Sequence, residues 1–157
     1  MVSAVLALVG LLLSLYLVLW RYGVMGPLQC GTGSCETVQL SEWATLLGLP
    51  VAAYGLGGYA ALLAVSLWGL QERWQNRREP TLVLLLLAAG GVGFTAWLTY
   101  LEAFVIEAWC RWCLASAAII VAIFAAAVVG WRGMQQVKMD VRRASSGTAP
   151  EGTRRAP

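Results

Sequence analysis

The chain has 157 residues, of which 59% are hydrophobic and 12% charged. Ordinary soluble domains carry about 25% charged residues, so this composition excludes a soluble globular domain and indicates a membrane protein. The formal net charge of +3 sits mostly in a few short basic segments and gives no reason to expect nucleic-acid binding.

Four stretches, 1–20, 43–71, 80–101 and 112–131, contain no charged side chain. Crossing the ~30 Å hydrocarbon layer takes about 20 helical residues, and inside it the backbone must satisfy itself as a helix or a closed barrel. Unbroken runs such as LASAAIIVAIFAAAVV suit helices, because barrel strands alternate and are about half that length. The sequence therefore predicts an all-α membrane protein, a four-transmembrane-helix bundle with spans at about 2–21, 50–70, 81–101 and 111–131. A cleaved signal peptide is the other reading of residues 1–20, but no basic residue precedes the apolar run and the run is long.

After the first span, residues 22–49 hold a Cys loop and a short helix. Cys30 and Cys35 are separated by Gly-Thr-Gly-Ser, whose glycines permit a tight backbone path. In VQLSEWATLLGL, Val38, Trp43, Leu46, Leu47 and Leu49 fall mostly on one helical face, with Gln39, Glu42 and Thr45 off it. That pattern predicts an amphipathic helix lying in the membrane interface. Pro50 then suits the first turn of the second span.

Gly55, Gly57, Gly58 and Ala61 in the second span, and Gly90, Gly91 and Gly93 in the third, are small residues that let helix backbones approach. GLGGYA is no dinucleotide fingerprint, since its glycine spacing is wrong and no strand precedes it. Trp20, Trp43, Trp97, Trp109 and Trp112 lie near span ends, where aromatic belts form. Residues 132–157 are polar, basic and without apolar periodicity, which predicts a disordered tail beyond a transmembrane domain over 1–131.

Of the eleven Lys and Arg, Arg73, Arg77, Arg78, Arg132, Lys138, Arg142, Arg143, Arg154 and Arg155 share one side of the predicted bundle. The positive-inside rule makes that side cytoplasmic, with both termini. Cys30, Cys35, Cys110 and Cys113 then lie on the extracytoplasmic side, where disulfides persist. Glu36, Glu42, Glu102 and Glu107 share that side. They are candidate proton carriers, although each reads more simply as solvated loop charge.

Four cysteines allow three pairings, and proximity favours Cys30 with Cys35 and Cys110 with Cys113. Static bridges over such short loops remove little chain entropy. A C-x-x-C at a helix start is instead a redox device, because free amides and the positive end of the helix dipole stabilise the first thiolate. One pair at the membrane edge and one on a loop suggest exchange between them through a mixed disulfide. Cys35 is the better placed to reach Cys110, leaving Cys30 for an external partner and Cys113, one turn deeper, for a lipid-soluble two-electron acceptor such as a quinone.

The order is a loop C…C, a Ser in the short helix, GLPVAAYGLGGY at the second span and YLEAFVIEAWCRWCLAS at the fourth. In that order the sequence resembles the bacterial homologues of vitamin K epoxide reductase over about residues 1–131. DsbB-type oxidases place the helix-edge C-x-x-C ahead of the loop pair. The resemblance implies that Cys30 exchanges with a separate thioredoxin-like, DsbA-like protein, Cys35 with Cys110, and that Cys113 reacts with a quinone (ubiquinone, menaquinone or related). It also implies a multi-pass protein of the bacterial inner membrane that supports disulfide-bond formation, and a partner on its own polypeptide, since the thioredoxin domain fused to some relatives is lacking here.

Ser41 matches a serine that the family places near the active cysteines. Val51 stands where relatives often carry Asn, and Ala117 where the animal enzyme has Tyr, both positions being implicated in holding the quinone head group. Only four residues separate the loop cysteines, fewer than in many relatives. Other readings are a four-thiolate zinc site, for which both cysteine spacings are tolerable although the chain has no His, a structural membrane protein with passive bridges, and the same relay run as a reductase.

Overall fold

The computed structural model describes residues 1–26, 30, 34–71, 73 and 78–147, with side chains as far as residue 144. In chain order it forms α1 (Val2–Arg21), α2 (Cys35–Leu40), a 3-10 turn (Glu42–Ala44), β1 (Thr45–Leu46), β2 (Leu49–Pro50), α3 (Val51–Leu70), α4 (Glu79–Leu101), a π-helical turn (Glu102–Ile106) and α5 (Arg111–Gly147). α1, α3, α4 with its π turn, and α5 are long and apolar enough to cross a membrane. The protein is a multi-pass, all-α membrane bundle.

The four spans close a ring in which α1 touches α3 and α5, and α4 touches the same two. Its centre is built from Ala7, Tyr59, Leu62, Ala88, Ile120 and Ile123, so every span contributes. Lipid is as apolar as leucine, and close packing rather than water exclusion holds such helices together. Gly10 admits the Tyr59 ring so closely that any Cβ would collide with it. A Cβ on Gly91 would stand 2.9 Å from Ile120 Cγ1, and one on Gly55 3.0 Å from Ser14 Oγ. Tyr59 spans the interior, its hydroxyl donating to the Ser116 carbonyl at 2.8 Å.

The small-residue expectation therefore holds at Gly55 and Gly91 but not throughout. Gly57, Gly58, Gly90 and Gly93 have nothing within 4 Å of a built Cβ. A glycine brings helices together only where its bare face meets a neighbour, and these four face open space.

Two other expectations change. The interfacial helix lies earlier than predicted, at Cys35–Leu40, and is only 6 residues long. Extended Ser41 ends it, and Thr45 and Leu46 then pair antiparallel with Pro50 and Leu49. Positive φ at Leu47 (52°) and Gly48 (83°) makes the two-residue reversal that suits a hairpin, so the periodicity of 38–49 is not that of one helix. At the other end, α5 runs to Gly147 instead of dissolving at residue 132. Gln135, Gln136, Lys138, Met139, Arg142 and Arg143 are good helix formers, and no Gly or Pro interrupts 134–146. Residues 148–157 lie outside the described residues, as do Arg77 and most of the Gly-Thr-Gly-Ser segment.

The α1–α3 and α4–α5 connections meet at the same end of the bundle, which gathers the four cysteines there. At the opposite end the Arg78 guanidinium sits 5.7 Å from the Trp131 ring centroid and ties the start of α4 to α5.

Candidate active site

Cys30 and Cys35 form a disulfide, and Cys110 and Cys113 are free thiols. Cys35 opens α2 and Cys110 immediately precedes α5. Both are 0% exposed, in one cluster with Val38 and Ala108, against which Cys30 and Cys113 pack. Cys30 is the more open member of its pair.

The α4–α5 connection positions the inner pair. α4 widens into its π turn, and Glu107 then takes a left-handed conformation with φ 53° and ψ 32°. This reversal folds 108–110 back on the π turn, so that the Cys110 N–H donates to Glu102 Oε2 at 3.2 Å. Wide turns of this kind recur where a helix must re-aim a functional group. Cys110 acts as the cap of α5: the Leu114 N–H donates to its carbonyl at 3.0 Å and the Cys113 N–H to its sulfur at 3.3 Å.

The hydrogen bond from the Cys113 thiol is the main influence holding the Cys110 thiol below the ordinary thiol range, aided by the Cys113 and Trp112 amides. Burial and the Glu102 charge oppose that shift. Two polar side chains border Cys113. Gln39 Nε2 lies 3.7 Å from its sulfur, and the Glu102 carboxylate is a second acceptor for its single thiol proton, alternative to Cys110 Sγ.

Beside Cys113 opens a cavity of about 300 Å³, bordered by Gln39, Ser41, Trp43, Val51, Tyr54, Tyr59, Phe94 and Glu102 and reaching Leu62, Leu87 and Ile120 in mid-bundle. Gly58 and Gly90 border it too, and their bare faces give it room. Ser41 turns its hydroxyl proton to the Val38 carbonyl at 2.7 Å, and the Tyr54 hydroxyl donates to the Leu46 carbonyl at 3.0 Å, tying the hairpin to α3.

Of the residues singled out from the sequence for this cavity, Cys113, Ser41 and Val51 border it and Ala117 does not. Ser116 and Ile120 face it, and Ala117, turned about 100° around the helix from Ser116, points elsewhere. The sequence reading missed Gln39, Tyr54 and Tyr59 as lining groups. Glu102 is corrected: it is 3% exposed rather than solvated, while Glu36, Glu42 and Glu107 are exposed.

A helical membrane bundle that sets a free dithiol against a disulfide, both at one end of its spans, is a membrane thiol oxidoreductase. Residues 1–128 match the model of the vitamin K epoxide reductase family, and the chain belongs to that family. Its members use quinone-type substrates.

Proposed function

We propose that this protein is a quinone-dependent thiol oxidase that relays electrons from a separate thioredoxin-like, DsbA-like protein through Cys30 and Cys35 to Cys110 and Cys113, and so supports disulfide formation outside the cytoplasm. The observation that carries the reading is the pairing itself: a bonded Cys30–Cys35 packs on a reduced Cys110–Cys113 in one buried cluster. That is the state expected once the loop pair has passed its electrons inward and the inner pair has yet to release them.

Each cysteine has a distinct task. Cys30, the more accessible, exchanges with the partner. Cys35, fully buried beside Cys110, hands the electron pair on. Cys110, whose thiol is held below the ordinary range and so leaves readily with the pair when Cys30 rebonds to Cys35, receives it, and Cys113 faces the cavity. Attack of a thiolate on a disulfide sulfur is the only covalent chemistry this internal transfer needs.

The cavity suits a quinone head group. Its volume lies at the small end of ligand pockets, Trp43 and Phe94 supply aromatic wall, and Gln39, Ser41 and Tyr59 place polar atoms among apolar ones. Bound there, a quinone supplies an acceptor for two electrons and two protons. Cys113 is the thiol positioned to give up the electrons, and the surrounding apolar wall excludes water.

The basic segments support an orientation with both termini in the cytoplasm and the cysteines outside it, which for a bacterial protein means the outer face of the inner membrane. Purified protein supplied with a reduced thioredoxin-like protein and a soluble quinone tests the reading. Quinone reduction should require both reactants and vanish in Cys113→Ala. Quinone reduction that survives this substitution, or that never occurs in the unmodified protein, contradicts it.

A further inference from the structure

Glu102 has an environment that a spectator carboxyl does not need. It is 3% exposed and is the only buried carboxyl among the described residues. Its partners are the Cys110 N–H, at 3.2 Å, and the Cys113 thiol, and it borders the same cavity as Cys113. A buried carboxyl is costly unless it is hydrogen-bonded or neutralised. Both of its contacts are to the reacting C-x-x-C, and a π turn with a left-handed Glu107 holds them in place. Gln39, donating to the Cys113 sulfur at 3.7 Å, can steady negative charge there but cannot accept the proton.

We propose that Glu102 is the proton acceptor for Cys113 when the inner disulfide forms. The proposal rests on the relay order given above. It concerns the exchange that links the Cys35–Cys110 mixed disulfide to the Cys110–Cys113 disulfide, which the relay runs towards the mixed disulfide and whose reverse resolves it. The Cys113 thiol gives its proton to the Glu102 carboxylate, and its electron pair forms a bond to Cys110 Sγ. The Cys35–Cys110 bond breaks, and Cys35 departs as a thiolate with the bonding pair. One negative charge lies on Glu102 before the step and on Cys35 after it, and no external oxidant is consumed. Run backwards, the same carboxyl protonates Cys113 as electrons arrive from the loop pair. A base in contact with the thiol is valuable here because the chain has no His, the side chain that most often moves protons near neutral pH.

The test uses the full-length protein with Cys30→Ala, in which the Cys35–Cys110 bond is first formed and its conversion to Cys110–Cys113 is then timed by quenched alkylation. Glu102→Gln keeps the shape and an acceptor for the Cys110 N–H but cannot take the proton. It should slow the conversion about 100-fold, the lower range for general base catalysis, while Glu102→Asp recovers part of the rate. A Gln variant as fast as the parent overturns the proposal and leaves the relay standing. Failure of the Cys35–Cys110 bond to form while Glu102 is present overturns the relay, and the proposal with it.

A second measurement needs no substitution that threatens folding. Infrared difference spectra of the unmodified protein, poised with the inner pair reduced and then oxidised, should show a buried protonated carboxyl appearing on oxidation. No such band overturns the proposal.

Discussion

Gln39 Nε2 lies 3.7 Å from Cys113 Sγ although 74 positions separate the two residues in the chain. α2 brings its amide, 7% exposed, over the start of α5. An N–H aimed at sulfur steadies negative charge that develops there as the bond to hydrogen is given up, so the contact assists electron donation from Cys113 towards the cavity. Replacing Gln39 by Leu keeps the bulk and removes the donor. The rate of quinone-dependent turnover should fall about tenfold, the scale of one hydrogen bond to a charged group, with the Cys30–Cys35 bond still formed. Stopped-flow quinone reduction checks the first outcome, and peptide mapping under non-reducing conditions the second.

Packing predicts a contrast between glycines that look alike in sequence. Gly10→Ala drives a methyl group into the Tyr59 ring and should destabilise the bundle by about 1–3 kcal/mol, as overpacking does. Gly57→Ala meets nothing within 4 Å and should change stability by less than about 0.5 kcal/mol. Thermal unfolding in detergent, followed by circular dichroism, distinguishes the two.

Cys110 predicts a pH dependence. Its thiol is held below the ordinary range chiefly by the Cys113 thiol, so its thiolate should persist as pH falls below the ordinary thiol value of about 8.5 and be lost only at lower pH. Cys113→Ala removes the main cause and should move the titration upward, whereas Cys113→Ser retains a hydroxyl donor and should move it less. Ultraviolet thiolate absorbance against pH, with the loop pair kept oxidised, measures all three.

The left-handed Glu107 gives a stability prediction. A side chain in that conformation costs about 1–2 kcal/mol that glycine does not incur, partly offset by the greater chain entropy glycine loses on folding. Glu107 is exposed, so Glu107→Gly removes no buried contact. It should leave turnover unchanged and raise the unfolding free energy by about 0.5 kcal/mol, read from chemical denaturation in detergent. A clear loss of stability would mean that the reversal depends on the Glu107 side chain.

The bundle was legible because lipid makes charge-free length decisive: only a helix or a closed barrel survives there, and four such lengths are plain in the chain. The cysteines were legible by chemistry and spacing. The residues around them were less so. Gln39 and Glu102 look like solvent-facing polar groups in sequence, and become site residues only because α2 starts at Cys35 and the last turn of α4 widens. Neither event has a strong local signal, since the hairpin at Leu47-Gly48 mimics the end of an amphipathic helix and a π turn has no composition of its own. Residues 132–147 depart from expectation for the converse reason. Polarity marks the end of the membrane span at Trp131, but it does not end a helix whose following residues favour the same backbone.

The relay itself is tested most directly by the bond that joins its two halves. In Cys30→Ala/Cys113→Ala, Cys35 has lost its loop partner and Cys110 the thiol that would resolve the bond, so Cys35, buried beside Cys110, should be recovered in a Cys35–Cys110 disulfide identified by mass spectrometry of non-reduced peptides. Recovery of Cys35 only as a free thiol, or bonded to a residue other than Cys110, would contradict the account.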